Sequence, residues 1–221
     1  MSKKLRLGII GCGGIANGHV TRSDATGHAE IVALMEPNDD TFAAFLARHE
    51  SLAKAKRYAT HTEMLAEAKL DGVIICSPHC FHHDQIMDSL AAGVNVLCEK
   101  PMCSTVDDAL EVVQKAEETG LVCMIAYQRH FMSQFRWIRD KIKSGDFGKL
   151  NFVQALQSQQ WLRAVANTWR QKLDLSCGGQ LNDSGSHLVD IILWTTGMVP
   201  DEVFAFIDNL GTEVDILSAI S

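Results

Sequence analysis

Basic runs are missing from this chain. No stretch is rich in lysine or arginine and the formal net charge is -7, so nucleic acid and anionic membrane surfaces are not expected partners. Long hydrophobic runs are missing too. Met1-Ser2-Lys3-Lys4 leads into a short apolar stretch that glycines interrupt at once, which predicts neither a signal peptide nor a membrane span. There is no internal repeat and no low-complexity linker. Cysteine, by contrast, is present seven times. An odd count without a secretion signal predicts reduced thiols in a cytoplasmic compartment. Cys12, Cys76, Cys98 and Cys123 lie in or beside apolar runs, where cysteine acts as a small hydrophobe. The segment Cys76-Ser77-Pro78-His79-Cys80-Phe81-His82-His83 is rich in ligand residue types, but zinc sites use two ligand pairs at set spacings. No second pair accompanies it, so no metal is expected, and its histidines are read as facing a cofactor or water.

What is present is ordinary in bulk: 221 residues, 47% hydrophobic and 21% charged, enough for one large domain or two small ones. The first half alternates strand and helix patterns. Strands are expected at Leu5 to Ile10, Glu30 to Met35, Gly72 to Cys76, Val94 to Cys98 and Leu121 to Ala126. Asn38 or Asp39, and later Ser104 or Thr105, are candidate caps of the intervening helices. Near-continuous apolar strands joined by helices predict a parallel sheet covered on both faces, hence a doubly wound α/β domain over residues 1–126. The pattern changes after Tyr127. Helices are expected at Phe131 to Ile142 and from about Ser184 to Thr195, with alternating, one-face-wet strands at Phe152 to Gln157, Glu202 to Ile207 and Val214 to Ile220. Residues 127–221 thus read as a second α/β domain with an open sheet, incomplete because the chain stops inside a strand pattern.

Gly11-Cys12-Gly13-Gly14-Ile15-Ala16 follows a strand and opens a helix, the context in which Gly-x-Gly-x-x-Gly/Ala binds dinucleotides. Gly11 allows the tight turn, Gly13 and Gly14 admit a diphosphate to the positive end of the helix, Ile15 is expected to contact the cofactor with them, and Ala16 keeps helix and strand close. Glu36, at the end of the second strand, is placed to accept the adenosine ribose hydroxyls and to repel a 2′-phosphate. No arginine follows closely in sequence, so NAD is expected over NADP. Lys100 ends the run Val94 to Cys98 at the carboxyl edge of the sheet, where such folds bind ligands. An ammonium stripped of water there is suited to proton handling; the other reading is a solvated strand end.

In the second half, Asp183 and His187 are four residues apart, on one helical face. An aspartate beside a histidine can fix its tautomer and make it a general base; the alternative is a helix cap and a half-buried histidine. Glycines at 178, 179 and 185 are expected to let backbone pass close to a ligand. Trp161, Trp169 and Arg170 either line a polar, sugar-sized pocket or pack as core and surface.

Taken together, these motifs resemble the Gfo/Idh/MocA family of glucose-fructose oxidoreductases and inositol dehydrogenases. The resemblance rests on the glycine loop, Ser77-Pro78 with His82, Glu99-Lys100-Pro101, Tyr127-Gln128-Arg129-His130-Phe131, and Gly178-Gly179 with Asp183 and His187. It implies a Rossmann domain, then an α/β domain whose open, mainly antiparallel sheet bears the substrate. It implies hydride transfer between a nicotinamide cofactor and a sugar, polyol or related hydroxy compound. By this resemblance Lys100, Asp183 and His187 form the catalytic group, and Ser77, Pro78, His82, Glu99 and Gln128 touch the cofactor. His79 and Gln128 stand where asparagine is common in the family, and Cys177 where a third glycine is. Assembly into a homo-oligomer through the second sheet is the partner arrangement the family suggests. The alternatives are an NAD-dependent glycosidase working by transient oxidation, a non-catalytic dinucleotide-binding regulator, and an inactive fragment.

Overall fold

The computed structural model describes residues 3–221. Two compact units divide the chain, one ending at Ala126 and the other beginning at Tyr127. The first runs β1 (Leu5–Ile10), α1 (Gly14–Thr26), β2 (Ala29–Met35), α2 (Asp39–Leu46), β3 (Lys56–Tyr58), α3 (His61–Glu67), β4 (Gly72–Ile75), α4 (His82–Ala91), β5 (Asn95–Cys98), α5 (Val106–Thr119) and β6 (Cys123–Ile125). All six strands are parallel, in the order β3-β2-β1-β4-β5-β6. That is the doubly wound dinucleotide-fold order, in which direction reverses beside β1 and a crevice opens at the carboxyl ends of β1 and β4.

The alternation of side chains along a strand explains the two layers of helix. Ile10, Val73 and Ile75 point to one face, where Met64, Ile86, Leu90 and Val112 from α3, α4 and α5 cover them. Ile9 and Ile74 point to the other, against Ala16 and Val20 of α1 and Phe45 of α2. Each fully buried Ile or Leu contributes about 1.5–3 kcal/mol relative to exposure. Side-chain caps set the starts of three helices: Asn38 accepts from the Thr41 amide, Thr60 from Glu63 and Thr105 from Asp108. The pairs left open in the sequence thereby resolve to Asn38 and Thr105. Neither β3 nor α3 was legible as an element. Lys56-Arg57-Tyr58 is an edge strand of three residues with no apolar run, so periodicity has nothing to report.

The second unit comprises α6 (Ser133–Lys143), α7 (Trp161–Ala164), α8 (Leu173–Ser176), a π-helical turn at Leu181–Gly185, α9 (Ser186–Thr196), and an antiparallel pair, β7 (Ala205–Asp208) with β8 (Leu217–Ile220). The strand expected at Phe152 to Gln157 does not form. Phe152 is 79% and Leu156 89% exposed, and no strand among the described residues pairs with the segment, so its alternation has no buried face to serve. Trp161 joins the core instead of a pocket, packing with Val214 and Ile216 just ahead of β8.

The remaining glycine expectation also changes. A Cβ on Gly179 would lie 1.9 Å from the Asp215 carbonyl oxygen, and one on Gly178 2.7 Å from the Asn182 side chain. These glycines admit the protein's own chain rather than a ligand. The Asp215 carboxylate accepts from the Gly179 and Leu181 amides at 2.6 and 2.7 Å. It thus supplies, from more than thirty residues away, the N-terminal cap expected of Asp183. Gly179→Ala is accordingly expected to destabilise the second unit by about 3 kcal/mol or more, read as a lowered urea midpoint. An unchanged midpoint would contradict the close approach.

Candidate functional site

In the first unit the implicated residues gather along the carboxyl edge of the sheet. Gly11 follows β1 with φ +88°, and a Cβ there would sit 2.8 Å from the Ser77 amide nitrogen; only glycine lets the two loops meet. Gly13 and Gly14 have no heavy atom within 4 Å of a would-be Cβ, so open space lies above them. α1 starts on this open side with no side-chain cap and no acidic residue in its first turn, unlike α2, α3 and α5. The first amides and the positive end of a 13-residue helix therefore remain for an anionic group. Ala16 is fully buried, which lets the helix lie close to β1. These features fit the diphosphate of a dinucleotide.

Glu36 is 9% exposed. Its Oε2 accepts from the Cys12 amide and its Oε1 from the Asn38 amide, both at 3.0 Å. The carboxylate thereby ties the glycine loop to the turn after β2. It keeps acceptor capacity, since each oxygen has two lone pairs. Arg57, missed with its strand, donates Nε to the Glu36 carbonyl oxygen at 2.9 Å. No arginine follows Glu36 closely in sequence, but Arg57 stands beside it in space.

Ser77 and Pro78 follow β4. The Ser77 hydroxyl donates to Gln85 Oε1 at 2.6 Å. His82 is fully buried, its Nδ1 2.7 Å from the Pro101 carbonyl and its Nε2 3.1 Å from that of Ser77. Burial lowers its pKa, with the two backbone bonds pulling the other way. An imidazole so enclosed offers nothing to a ligand; contrary to expectation, His82 braces the β4 loop against the segment after β5. Lys100, partly buried, follows Glu99 in that segment. Glu99 Oε1 lies 2.8 Å from His19 Nε2 of α1, with side chains 14% and 12% exposed. Burial raises the carboxyl pKa, but the His19 bond and charge and the Lys100 charge outweigh it, leaving the net value below the usual 4.5.

A depressed acid contributes stability above its unfolded pKa and loses it as pH falls through the folded one. Glu99→Gln is therefore expected to cost about 1–2 kcal/mol near neutrality, with the gap to the parent protein closing below about pH 4.5 in urea titrations. A pH-independent gap would contradict the ion pair.

The cysteine row is inert. Burial pushes Cys12 and Cys103 up to about 12 and raises Cys76 and Cys98 as well, so thiolates are scarce at neutral pH.

In the second unit Asp183 lies in the π-helical turn and is 5% exposed. Its Oδ2 accepts from Trp161 Nε1 and Arg170 Nε, each at 3.2 Å. The Arg170 guanidinium rests over the Trp169 ring at 4.4 Å. Trp161 and Arg170 thus hold the aspartate; Arg170 serves it rather than standing apart as a pocket wall. His187 sits in the first turn of α9, edge-on to Tyr127 at 5.9 Å, and its carbonyl accepts from Arg129 Nη1 at 3.2 Å. Tyr127 is stacked on His130 at 6.1 Å, and His130 Nε2 is 2.8 Å from Asp190 Oδ2. Burial and the Asp190 charge raise the Tyr127 pKa, against the Ser186 hydrogen bond. Tyr127 and His130 entered from the sequence only as part of a family motif, with no role of their own, and Asp190 did not enter at all; the His187-x-x-Asp190 spacing on one helix was the available signal. Gln128 is exposed in the turn between Tyr127 and Phe131.

Comparison with known proteins places both units in known domain families. Residues 5–127 match the model of the oxidoreductase family with an NAD-binding Rossmann fold, and residues 135–220 match the GFO/IDH/MocA C-terminal domain. The rhizopine catabolism protein MocA of Rhizobium meliloti is 32% identical over 89% of this chain and 59% of its own length. Inositol 2-dehydrogenase of Corynebacterium glutamicum is 28% identical over 89% of the chain and 56% of its length. The chain therefore spans less than two thirds of these relatives. The crystal structure of the WlbA dehydrogenase from Bordetella pertussis, in complex with NADH and UDP-GlcNAcA, superposes with a TM-score of 0.87. It is 25% identical and covers 98% of this chain and 65% of its own. No helix among the described residues is long and apolar enough to cross a membrane. With the first family model taking in more than half of the sequence, and the second most of the rest, the chain belongs to the GFO/IDH/MocA oxidoreductase family.

Proposed function

We propose that this chain is an NAD-preferring dehydrogenase or reductase acting on a CH–OH group of a sugar, polyol or related small hydroxy compound. The observation that carries the reading is the start of α1: an uncapped helix end beneath open glycines, with Glu36 and Lys100 at the same sheet edge. A bound nicotinamide dinucleotide would supply the hydride acceptor or donor. The residues of this chain do the rest. The Gly13 and Gly14 backbone admits the diphosphate, and Glu36 receives the adenosine ribose. Lys100 stabilises the developing alkoxide with its positive charge. His187, with Asp183, takes the hydroxyl proton as general base. Residues 1–126 are the cofactor domain in this reading and residues 127–221 the substrate domain. Trp169 is the aromatic wall suited to a polyhydroxy ring, and Pro78 and Gln128 remain cofactor contacts.

A panel of inositols, hexoses and nucleotide-linked sugars, assayed for NADH formation with NAD, tests this. Turnover of one or more supports it; release of a leaving group without net NADH would favour transient oxidation instead. NADH binding without turnover of any member would sink the enzymatic part.

Asp183 needs care as a test position. Asp183→Ala would leave the Trp161 and Arg170 donors unsatisfied, and is expected to destabilise by about 2–4 kcal/mol. Asp183→Asn keeps an acceptor oxygen and is expected to lose far less. Equal urea midpoints for the two variants would contradict the hydrogen-bonded role.

A further inference from the structure

Arg57 occupies a position that neither the family reading nor the proposed chemistry uses. It projects from β3, and three bonds hold its guanidinium against the turn after β2. Nε donates to the Glu36 carbonyl at 2.9 Å, Nη2 to the Pro37 carbonyl at 3.2 Å, and Nη1 to Asp39 Oδ1 at 2.6 Å. Its flat face lies over the Phe42 ring at 4.4 Å. Two carbonyls and a ring therefore anchor the cation beside the residue expected to receive the adenosine ribose. Among the described residues its acidic partner is Asp39, whose side chain is 89% exposed.

The two nearby carboxylates differ in kind. Glu36 is buried and bonded to the glycine loop, so its charge is a fixed part of the fold. Asp39 stands in water and takes no part in the glycine loop, yet it meets an already anchored guanidinium at 2.6 Å, a charge-assisted bond that any other anion must displace. A 2′-phosphate differs from a 2′-hydroxyl by charge and by acceptor oxygens that match a guanidinium well. A guanidinium has five N–H donors and no acceptor, so whatever anion faces Nη1 decides what else can be recruited there.

We infer that Asp39 is a specificity-determining residue for the dinucleotide: by occupying Arg57 it withholds this anchored cation beside Glu36 from a 2′-phosphate. The inference rests on the dinucleotide reading of the glycine loop and adds what sets its selectivity. NADH, lacking the phosphate, has no use for Arg57 and is indifferent to the latch.

The test is a fluorescence or calorimetric titration of the full chain with NADH and with NADPH. Asp39→Ala is expected to tighten NADPH binding about tenfold and to leave NADH affinity nearly unchanged. Asp40→Ala removes an equal charge one residue away, on a side chain with no recorded bond to Arg57, and is expected to give little of this gain. The double variant Asp39→Ala/Arg57→Gln is expected to lose the gain, a coupling that only direct interaction produces. NADH binding serves throughout as the control for folding. Equal gains from Asp39→Ala and Asp40→Ala, a gain that survives loss of Arg57, or no gain at all with NADH binding intact would each overturn this inference alone. Failure of the unaltered chain to bind NADH would overturn it together with the cofactor reading.

Discussion

Lys100→Ala is expected to cut NADH formation by about two to four orders of magnitude, while NADH affinity hardly moves. The expectation follows from where the residue stands. β5 is covered on both faces and ends at the edge where α1, β2 and β4 also deliver their loops. Lys100 is half-buried behind Glu99, which His19 holds in place from α1. A positive charge fixed there needs no reorganisation when an alkoxide develops, which is what makes such groups effective. In the proposed function the diphosphate and ribose fall to Gly13, Gly14 and Glu36, so binding of the cofactor is expected not to depend on Lys100. Lys100→Arg keeps the charge but not the size and is expected to recover only part of the rate. Steady-state kinetics on whichever panel substrate is turned over provides the check. Turnover near the parent rate in Lys100→Ala would remove the lysine from the mechanism.

Gly13→Val is expected to abolish measurable NADH binding, a loss of at least about a hundredfold, without changing the thermal transition. Gly13 has φ -75° and ψ -169°, extended backbone open to any residue, and nothing lies within 4 Å of its would-be Cβ. The valine side chain thus fits the protein and fills the approach to the uncapped helix end. Gly11→Ala is the contrast: with φ +88° and Ser77 nitrogen 2.8 Å away, it is expected to lower stability by about 1–3 kcal/mol. The pair separates glycine kept for a ligand from glycine kept for the chain. Normal NADH affinity in Gly13→Val would show that the diphosphate does not approach there.

Much of the first unit could be read from sequence because its strands are buried on both faces. Val73, Ile74 and Ile75 form an unbroken apolar run, and the glycine loop sits between a clear strand and a clear helix. β3 was illegible for the opposite reason: Lys56 and Arg57 are polar residues on an edge strand three residues long. Arg57, which packs against the turn after β2, was lost with it. The second unit was harder. Alternation at Phe152 to Leu156 mimicked a strand, yet pairing needs a neighbour and a core, and neither faces that segment among the described residues. Spacing and glycine context singled out Asp183 and His187 as candidates. The surroundings of Asp183 were not legible, because Trp161 and Arg170 reach it from 22 and 13 residues away along the chain, distances at which periodicity carries no information. His82 shows a further limit: the family resemblance implied a cofactor contact, and only the structure shows the ring buried with a backbone carbonyl beside each nitrogen.

Hydrogen–deuterium exchange of the full chain with and without NADH tests the central claim most directly. NADH is expected to slow exchange in peptides covering residues 11–16 and 36–38, where the helix amides and the Glu36 turn take up the cofactor. Unchanged exchange there at saturating NADH, or protection confined to other segments, would contradict it.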